Sequence, residues 1–278
     1  MISEIHLSAA YTRLFVFLCL LLGLQGCATP PTPFNEAGLW GLKDTRENVI
    51  VPPSYELEPR FSNGLGLVRT NKKWGFIDHE GTLVIPAIYD KIELPSMGLI
   101  GACRGDYGNR QCGYIDTSGQ TIIAFEYSSA ESFTKEQDGL AQVTKGRKHG
   151  AIRRDGSVVI PIIYDERFII QDGYVLATLG GRSLVLTTSG EEVLKPYDVI
   201  AYDVWGGKIA NKGLFTVASE GKWGFVNTKG EIVIPFKYDK RAFFGRRYAI
   251  VSRDGERFRI DRHGVEEPLN LETLPIPY

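Results

Sequence analysis

One stretch of the chain recurs almost unchanged. Residues 73–90 read KWGFIDHEGTLVIPAIYD, and residues 222–239 read KWGFVNTKGEIVIPFKYD, with identical spacing. Trp74, Gly75, Phe76 and Ile77 are aromatic, small or β-branched, which suits a strand better than a helix. A glycine inside a strand marks a bulge or a close backbone approach, so Gly75 is expected to admit a neighbouring element. The run from Asp78 to Gly81 has tight-turn chemistry, with Asp bonding the backbone and Gly supplying positive φ. Leu83, Val84 and Ile85 form the returning strand, and Pro86, lacking an N–H, is expected to end its ladder. Proline precedes tyrosine by three residues at Pro52/Tyr55, Pro86/Tyr89, Pro161/Tyr164 and Pro235/Tyr238, so each tyrosine should fill an equivalent slot.

Worn copies surround these two. The first has Trp40-Gly41, the third Cys112-Gly113, the fourth His149-Gly150 and the sixth Trp223-Gly224. The fifth is placed on Ser183 and the seventh on Arg257, giving a mean spacing of 36 residues over positions 41 to 257. A further strand precedes each copy from the second onward. Each repeat therefore has up to four short strands, and no helix-length amphipathic segment appears. The chain is all-β, a tandem array of about seven four-stranded or hairpin repeats. Trp40, Gly41, Trp74, Gly75, Gly113, Gly150, Trp223 and Gly224 are its structural positions.

A repeat too small to make a core must stack on its neighbours. A β-propeller is favoured over an open β-solenoid, because seven is a comfortable ring size and the first repeat lacks a clear leading strand. The short period and the eroded seventh repeat point to the open stack instead.

The pattern K-W-G-[FY]-[IV]-[DN]-x-x-G-x-[ILV]-V-I-P-x-x-Y-[DE] resembles the bacterial WG-repeat (KWG) family. The likeness covers nearly all of residues 40–264 and is most specific in repeats two and six. It implies an all-β array, often on secreted or envelope proteins, whose usual role is interaction. It brings no catalytic residues.

At the N-terminus, Arg13 precedes an apolar run over residues 14–24, too short to span a membrane and suited to a signal-peptide core. Leu24-Gln25-Gly26-Cys27 resembles a bacterial lipoprotein lipobox, with Gln25 departing from the usual small residue. That resemblance implies a signal peptide over residues 1–26 and a lipid on the Cys27 thiol. The alternative is an ordinary secretory signal with a chance cysteine. Ala28 follows the cysteine where an Asp would signal inner-membrane retention, so the outer membrane of the cell envelope is favoured. Residues 27–37 are then a lipidated, Pro-rich tether, and residues 38–278 the repeat domain.

Little here carries chemistry. Of 4 Cys, Cys103 and Cys112 remain after the signal and anchor, placed to close a hairpin as a disulfide. A metal pair is the weaker alternative, since neither His nor further Cys has suitable spacing. The 4 His are scattered over different repeats. No nucleotide, hydrolase or metalloprotease motif is present, so neither enzyme activity, metal nor cofactor is expected. With 32 basic and 33 acidic residues, a nucleic-acid partner is not expected either. Arg104-Gly105-Asp106 within the cysteine-closed loop is either an adhesive tripeptide or simply a turn. The insertion over residues 201–213 breaks the repeat, and its Tyr202, Asp203 and Trp205 are the candidate binding residues. Two functions from different classes are carried forward: a lipid-anchored protein-interaction scaffold, or a module binding carbohydrate such as peptidoglycan through the Trp205 loop.

Overall fold

In the computed structural model, residues 31–269 are described, except Tyr107, Val204 and Trp205; the signal segment and Cys27 lie outside them. The described residues form seven antiparallel sheets in sequence order, each an up-and-down meander. The second is typical. Arg60–Ser62, Leu65–Thr70, Lys73–Ile77 and Leu83–Tyr89 pair successively, so every connection is a short hairpin. The sixth repeats it with Val199–Ala201, Leu214–Ser219, Lys222–Asn227 and Ile232–Tyr238. The only helical turn among the described residues is the 3-10 segment Lys135–Gln137.

The chain divides into two compact units, Met1–Tyr89 and Asp90–Tyr278. The first unit holds sheets one and two, the second sheets three to seven. In the first unit, Leu42, Val51 and Tyr55 of sheet one pack with Val68 and Ile77 of sheet two. In the second unit each adjacent pair of sheets shares such a cluster. The central strands are buried on both faces because alternate side chains point opposite ways. Val226 joins the cluster with sheet five, while Phe225 joins the cluster with sheet seven. Face-to-face stacking of successive sheets, the feature common to a ring and an open stack, thus supplies the core of each unit.

The last strand of a repeat does not stop at its proline. Leu83–Tyr89 runs through Pro86, and the ladder absorbs the proline as a bulge. Trp74 pairs with Tyr89 and Phe76 with Ile85, so one residue, Gly75, faces three, Pro86 to Ile88. This is an edge strand, where a missing N–H costs no ladder bond and the bulge discourages pairing with another chain. The bulged backbone explains the glycine. A Cβ on Gly75 would lie 2.5 Å from the Ile85 carbonyl oxygen, and one on Gly224 2.6 Å from that of Ile234.

The register corrects two repeat positions. Leu184, not Ser183, occupies the glycine position of repeat five, opposite Ala177 on one side. Phe258, not Arg257, occupies it in repeat seven. Both departures coincide with a smaller bulge. Ser183 pairs with Tyr197 and Val185 with Leu194, leaving two residues opposite Leu184 rather than three. Phe258, Arg259 and Ile260 pair in regular register with Pro268, Glu267 and Glu266. A side chain returns where the backbone opposite has withdrawn.

The first repeat also differs from expectation. Thr32–Glu36, placed in the Pro-rich tether, is a strand paired with Leu39–Lys43, so this repeat does have a leading strand. Proline context hid it, yet Pro33 lies on an edge where proline is tolerated. Phe34 covers Gly41, and the Lys43 ammonium sits 5.1 Å from the Phe34 ring centroid.

The turn after most WG strands is fastened by the side chain that opens it; in repeat four, where Arg153 opens the turn, Asp155 within it accepts the Ser157 N–H instead. Oδ1 of Asp116 accepts the N–H groups of Ser118 and Gln120, and Oδ1 of Asp261 those of His263 and Val265. The glycine closing this turn packs on the preceding sheet of its own unit: a Cβ on Gly81 would run into Val51, and one on Gly264 would lie 3.3 Å from Ile234.

Gly224→Leu is expected to lower stability by about 1–3 kcal/mol or more, because the leucine overpacks against backbone. Deleting one residue from the bulge over 235–237 should recover part of that loss, reproducing the geometry around Leu184. Urea unfolding of the single and combined variants checks this; an unchanged midpoint for Gly224→Leu alone would refute the bulge argument.

Candidate functional site

The insertion over 201–213 is built around Asp203. Its backbone pairs both ways with Lys208, at 2.9 and 3.2 Å. Its carboxylate accepts the Gly206 N–H and the Asn211 amide, each at 2.9 Å, and the residue is only 7% exposed. Asp203 therefore spends its acceptors on the loop's own shape. Tyr202 packs half-buried against the cluster that includes Ile200, Ile209 and Phe215. Trp205 lies outside the described residues.

The repeat tryptophans flank the core rather than filling it. Trp40, Trp74 and Trp223 are half-buried, whereas the paired tyrosines Tyr55, Tyr89 and Tyr238 are buried. The cause is position. Trp74 is the second residue of its strand, next to the two-residue turn Asn71-Lys72 at the sheet's end. Its cross-strand partner Tyr89 closes the last strand against the interior.

In repeats one and two this leaves a pocket of about 400 Å³, lined by Trp40, Leu57, Glu58, Arg60, Leu67 and Trp74. The walls are largely apolar, and Leu57 stands 43% exposed. Glu58 and Arg60 place opposite charges beside it and are exposed. The Arg69 guanidinium lies 5.2 Å from the Trp74 ring centroid, fixing the indole from behind. Successive repeats carry Trp, Trp, Cys112, His149, Ser183, Trp223 and Arg257 at this position, so only repeats one and two place tryptophans in succession. That adjacency was the available sequence signal.

Other candidates resolve into structure. Cys103 and Cys112 are buried cross-strand partners joined as a disulfide. Such a closed loop contributes about 2–3 kcal/mol by the chain-entropy relation. Within the loop, Arg104 lies 4.7 Å over the Phe125 ring and the Gly105 N–H donates to Asp90 at 2.8 Å. The Arg104-Gly105-Asp106 tripeptide is exposed but anchored at its first two residues. No group of three or more His, Cys, Asp or Glu able to hold a metal exists among the described residues. Burial lowers the pKa of His149, half-buried at the tryptophan position of repeat four. Glu131 is pushed upward by burial, ahead of the opposing pull of Arg167 in the ion pair between them.

The outer residues of the KWG…YD signature pair with each other. Lys148 reaches Asp165 at 2.6 Å and Lys222 reaches Asp239 at 2.7 Å. Those lysine hydrogen bonds hold both aspartates below the ordinary carboxylate pKa. Each aspartate also receives turn N–H groups, such as Gly181 to Asp165 at 3.3 Å. Sequence reading gave these two residues no role beyond the pattern, although their fixed separation was the signal.

Fold and site together define a tandem-repeat module, with a scaffold that recurs from repeat to repeat and individually varied positions at the strand ends. A family model described as "WG containing repeat" matches residues 40–74, 74–107, 113–148, 150–182 and 223–255. The chain belongs to this WG-repeat family, whose repeats suggest an interaction module. Comparison with curated proteins found no match. Among solved structures it is similar to Kluyveromyces lactis Hsv2, at 13% identity over 71% of this chain and 68% of that one, with a TM-score of 0.34. It is also similar to a putative gluconolactonase, at 14% identity over 90% and 97%, with a TM-score of 0.31. A eukaryotic initiation factor shows 12% identity over 84% and 82%, with a TM-score of 0.31. These scores are too low to carry an argument.

Because each aspartate's folded pKa is depressed, the Lys–Asp pairs stabilise above the unfolded aspartate value, about 3.9. That stabilisation is lost as pH falls through the lower folded value. An Asp165→Asn/Asp239→Asn variant should therefore unfold earlier than wild type at neutral pH, with the difference closing below about pH 4. Urea midpoints across pH check this; a gap that persists at pH 2 would refute the charge assignment.

Proposed function

We propose that this is a lipid-anchored cell-envelope protein whose WG-repeat domain binds a partner protein, with the Trp40–Trp74 pocket as its principal contact. The pocket carries this reading. Binding energy concentrates where Trp, Tyr and Arg line a cavity that a partner can dry out. Here two indoles and two leucines form the walls, and one carboxylate and one guanidinium sit alongside to orient what enters. An apolar side chain flanked by a basic and an acidic residue fits that arrangement.

A second observation supports a repeat-based interface. The residue opening the last strand is an exposed aliphatic in four repeats: Val49, Leu83, Val158 and Ile232. Scattered exposed aliphatics need no explanation, but recurrence at one repeat position gives a partner a repeated apolar contact within each unit.

The second reading is a cell-wall glycan. A pair of half-exposed tryptophans also suits a sugar ring, while the paired opposite charges favour a polypeptide. In the 201–213 loop, Tyr202 and Asp203 are engaged in packing and loop closure, so a glycan reading there rests on Trp205 alone. We read the protein as a binding rather than a catalytic one.

Trp74→Ala should weaken partner capture from detergent-solubilised membranes at least tenfold, the effect of about 1.4 kcal/mol or more at a hot spot. A retained cooperative thermal transition would show that the variant still folds. Equal capture by wild type and variant would refute the pocket; Trp74-dependent sedimentation with purified peptidoglycan would move the reading to the glycan.

The anchor rests on the lipobox, and no helix among the described residues is long and apolar enough to cross a membrane. Cys27→Ser is expected to abolish membrane association and leave the precursor uncleaved. Metabolic labelling with a fatty-acid analogue should mark wild type only; equal labelling of the variant would end this proposal.

A further inference from the structure

The position that forms the apolar pocket in repeats one and two recurs in repeat seven with different chemistry. There Arg257 stands where Trp74 stands, one residue before the glycine-equivalent position in both. Lys240 and Arg241 follow Tyr238 by two and three residues, as Leu57 and Glu58 follow Tyr55. Ile250 pairs with Arg259 as Leu67 pairs with Phe76. Lys240, Arg241, Ile250 and Arg257, with Asp239 and Ser252, line a pocket of about 470 Å³ in the second unit.

Its charge is uncompensated. The pocket's one carboxylate, Asp239, is already held by Lys222 at 2.7 Å. Other cations of this sheet are neutralised: Arg253 pairs with Glu266 at 2.9 Å and Arg259 with Glu267 at 2.6 Å. Lys240, Arg241 and Arg257 are exposed and form no ion pair among the described residues. The fourth polar group is independent of charge. The Ser252 hydroxyl is buried and has no hydrogen-bond partner, a costly state for a hydroxyl unless something else satisfies it.

We propose that this pocket binds a phosphate group, carried on a sugar or headgroup, through Arg241, Arg257, Lys240 and Ser252. Three unpaired cations suit a dianion better than a single carboxylate. Guanidinium groups match phosphate oxygens bidentately, and lysine adds a point charge. The volume lies in the range of about 300–1,000 Å³ typical of small-molecule sites, so a bare phosphate leaves room for an attached group beside Ile250. A phosphorylated soluble glycan and a phospholipid headgroup share this chemistry.

The test uses the full chain in detergent, with inorganic phosphate and glucose 6-phosphate as soluble probes in calorimetric titration. Titration with glycerophosphoglycerol, the deacylated headgroup of phosphatidylglycerol, reports the headgroup source free of the lipid anchor's own affinity for bilayers. Saturable binding by either route is expected. It should weaken about tenfold in Arg241→Gln or Arg257→Gln, the loss of one charge-assisted contact. Arg147→Gln, an exposed arginine in repeat four, should leave binding unchanged. Ser252→Ala should weaken binding without lowering the thermal midpoint, because it deletes an unsatisfied group from the free protein. Tighter binding of the sugar phosphate assigns a soluble ligand; tighter binding of glycerophosphoglycerol, weakened in the arginine variants, assigns a membrane headgroup. Absence of saturable binding to every probe, or equal weakening by Arg147→Gln, would overturn the proposal.

Discussion

The structure depends on one backbone contact: a bulged edge strand lying directly over a glycine. At Gly75 the extra residues of the bulge bring the Ile85 carbonyl to where a Cβ would stand. The same contact recurs at Gly41, Gly113, Gly150 and Gly224. From it follow the proline, tolerated because the bulge lies on an edge, and the three-residue step to tyrosine, which is the length of the bulge. The tyrosine then turns inward as a buried partner to the exposed-side tryptophan. Four sequence positions, glycine, proline, tyrosine and tryptophan, thus express one geometric constraint. Its strength as a constraint is visible where it lapses, since Leu184 and Phe258 appear only where the bulge has shortened or gone.

That constraint explains which parts of the fold could be read directly. Repeat count, strand order, the Asp- or Asn-opened turns and the Cys103–Cys112 pair follow from spacing along one chain, and periodicity preserves spacing. Three features depend on what lies opposite, and these escaped. Pro86 seemed to end a strand, but only because its place on an edge was not known. Thr32–Glu36 seemed part of a tether, since its pairing with Leu39–Lys43 outweighs its proline context. Ser183 and Arg257 seemed to be repeat positions because an eroded motif leaves no glycine to fix the register.

The candidate site was less legible for the same reason. Trp40 and Trp74 were visible as repeat residues, and repetition argued for packing. Trp40 does pack against the first unit's core cluster, but at a sheet's end, next to the tight turn, a large ring can be covered on only part of its surface. Leu57 and Glu58 enter the pocket from a connection with no repeat signature. Asp203, by contrast, looked like a ligand-binding acid because the insertion broke the pattern. Its buried carboxylate instead organises that insertion through Gly206 and Asn211.

A repeat array built this way separates what must stay from what is free to change. Glycine, bulge, tyrosine and the lysine–aspartate pair fix the backbone and are used up in doing so. The tryptophan position, half-buried at the sheet's end, and the two residues after the following aspartate or glutamate change chemistry from repeat to repeat while the sheet persists. Repeats one and two fill these places with Trp74, Leu57 and Glu58, giving an apolar pocket. Repeat seven fills them with Arg257, Lys240 and Arg241, giving a cationic one. The cost of the second choice is an exposed surface with unbalanced charge and an unsatisfied Ser252 hydroxyl, neither of which the fold requires. Features that stability does not call for, recurring at the same place that elsewhere forms a pocket, are the expected mark of a position held for binding.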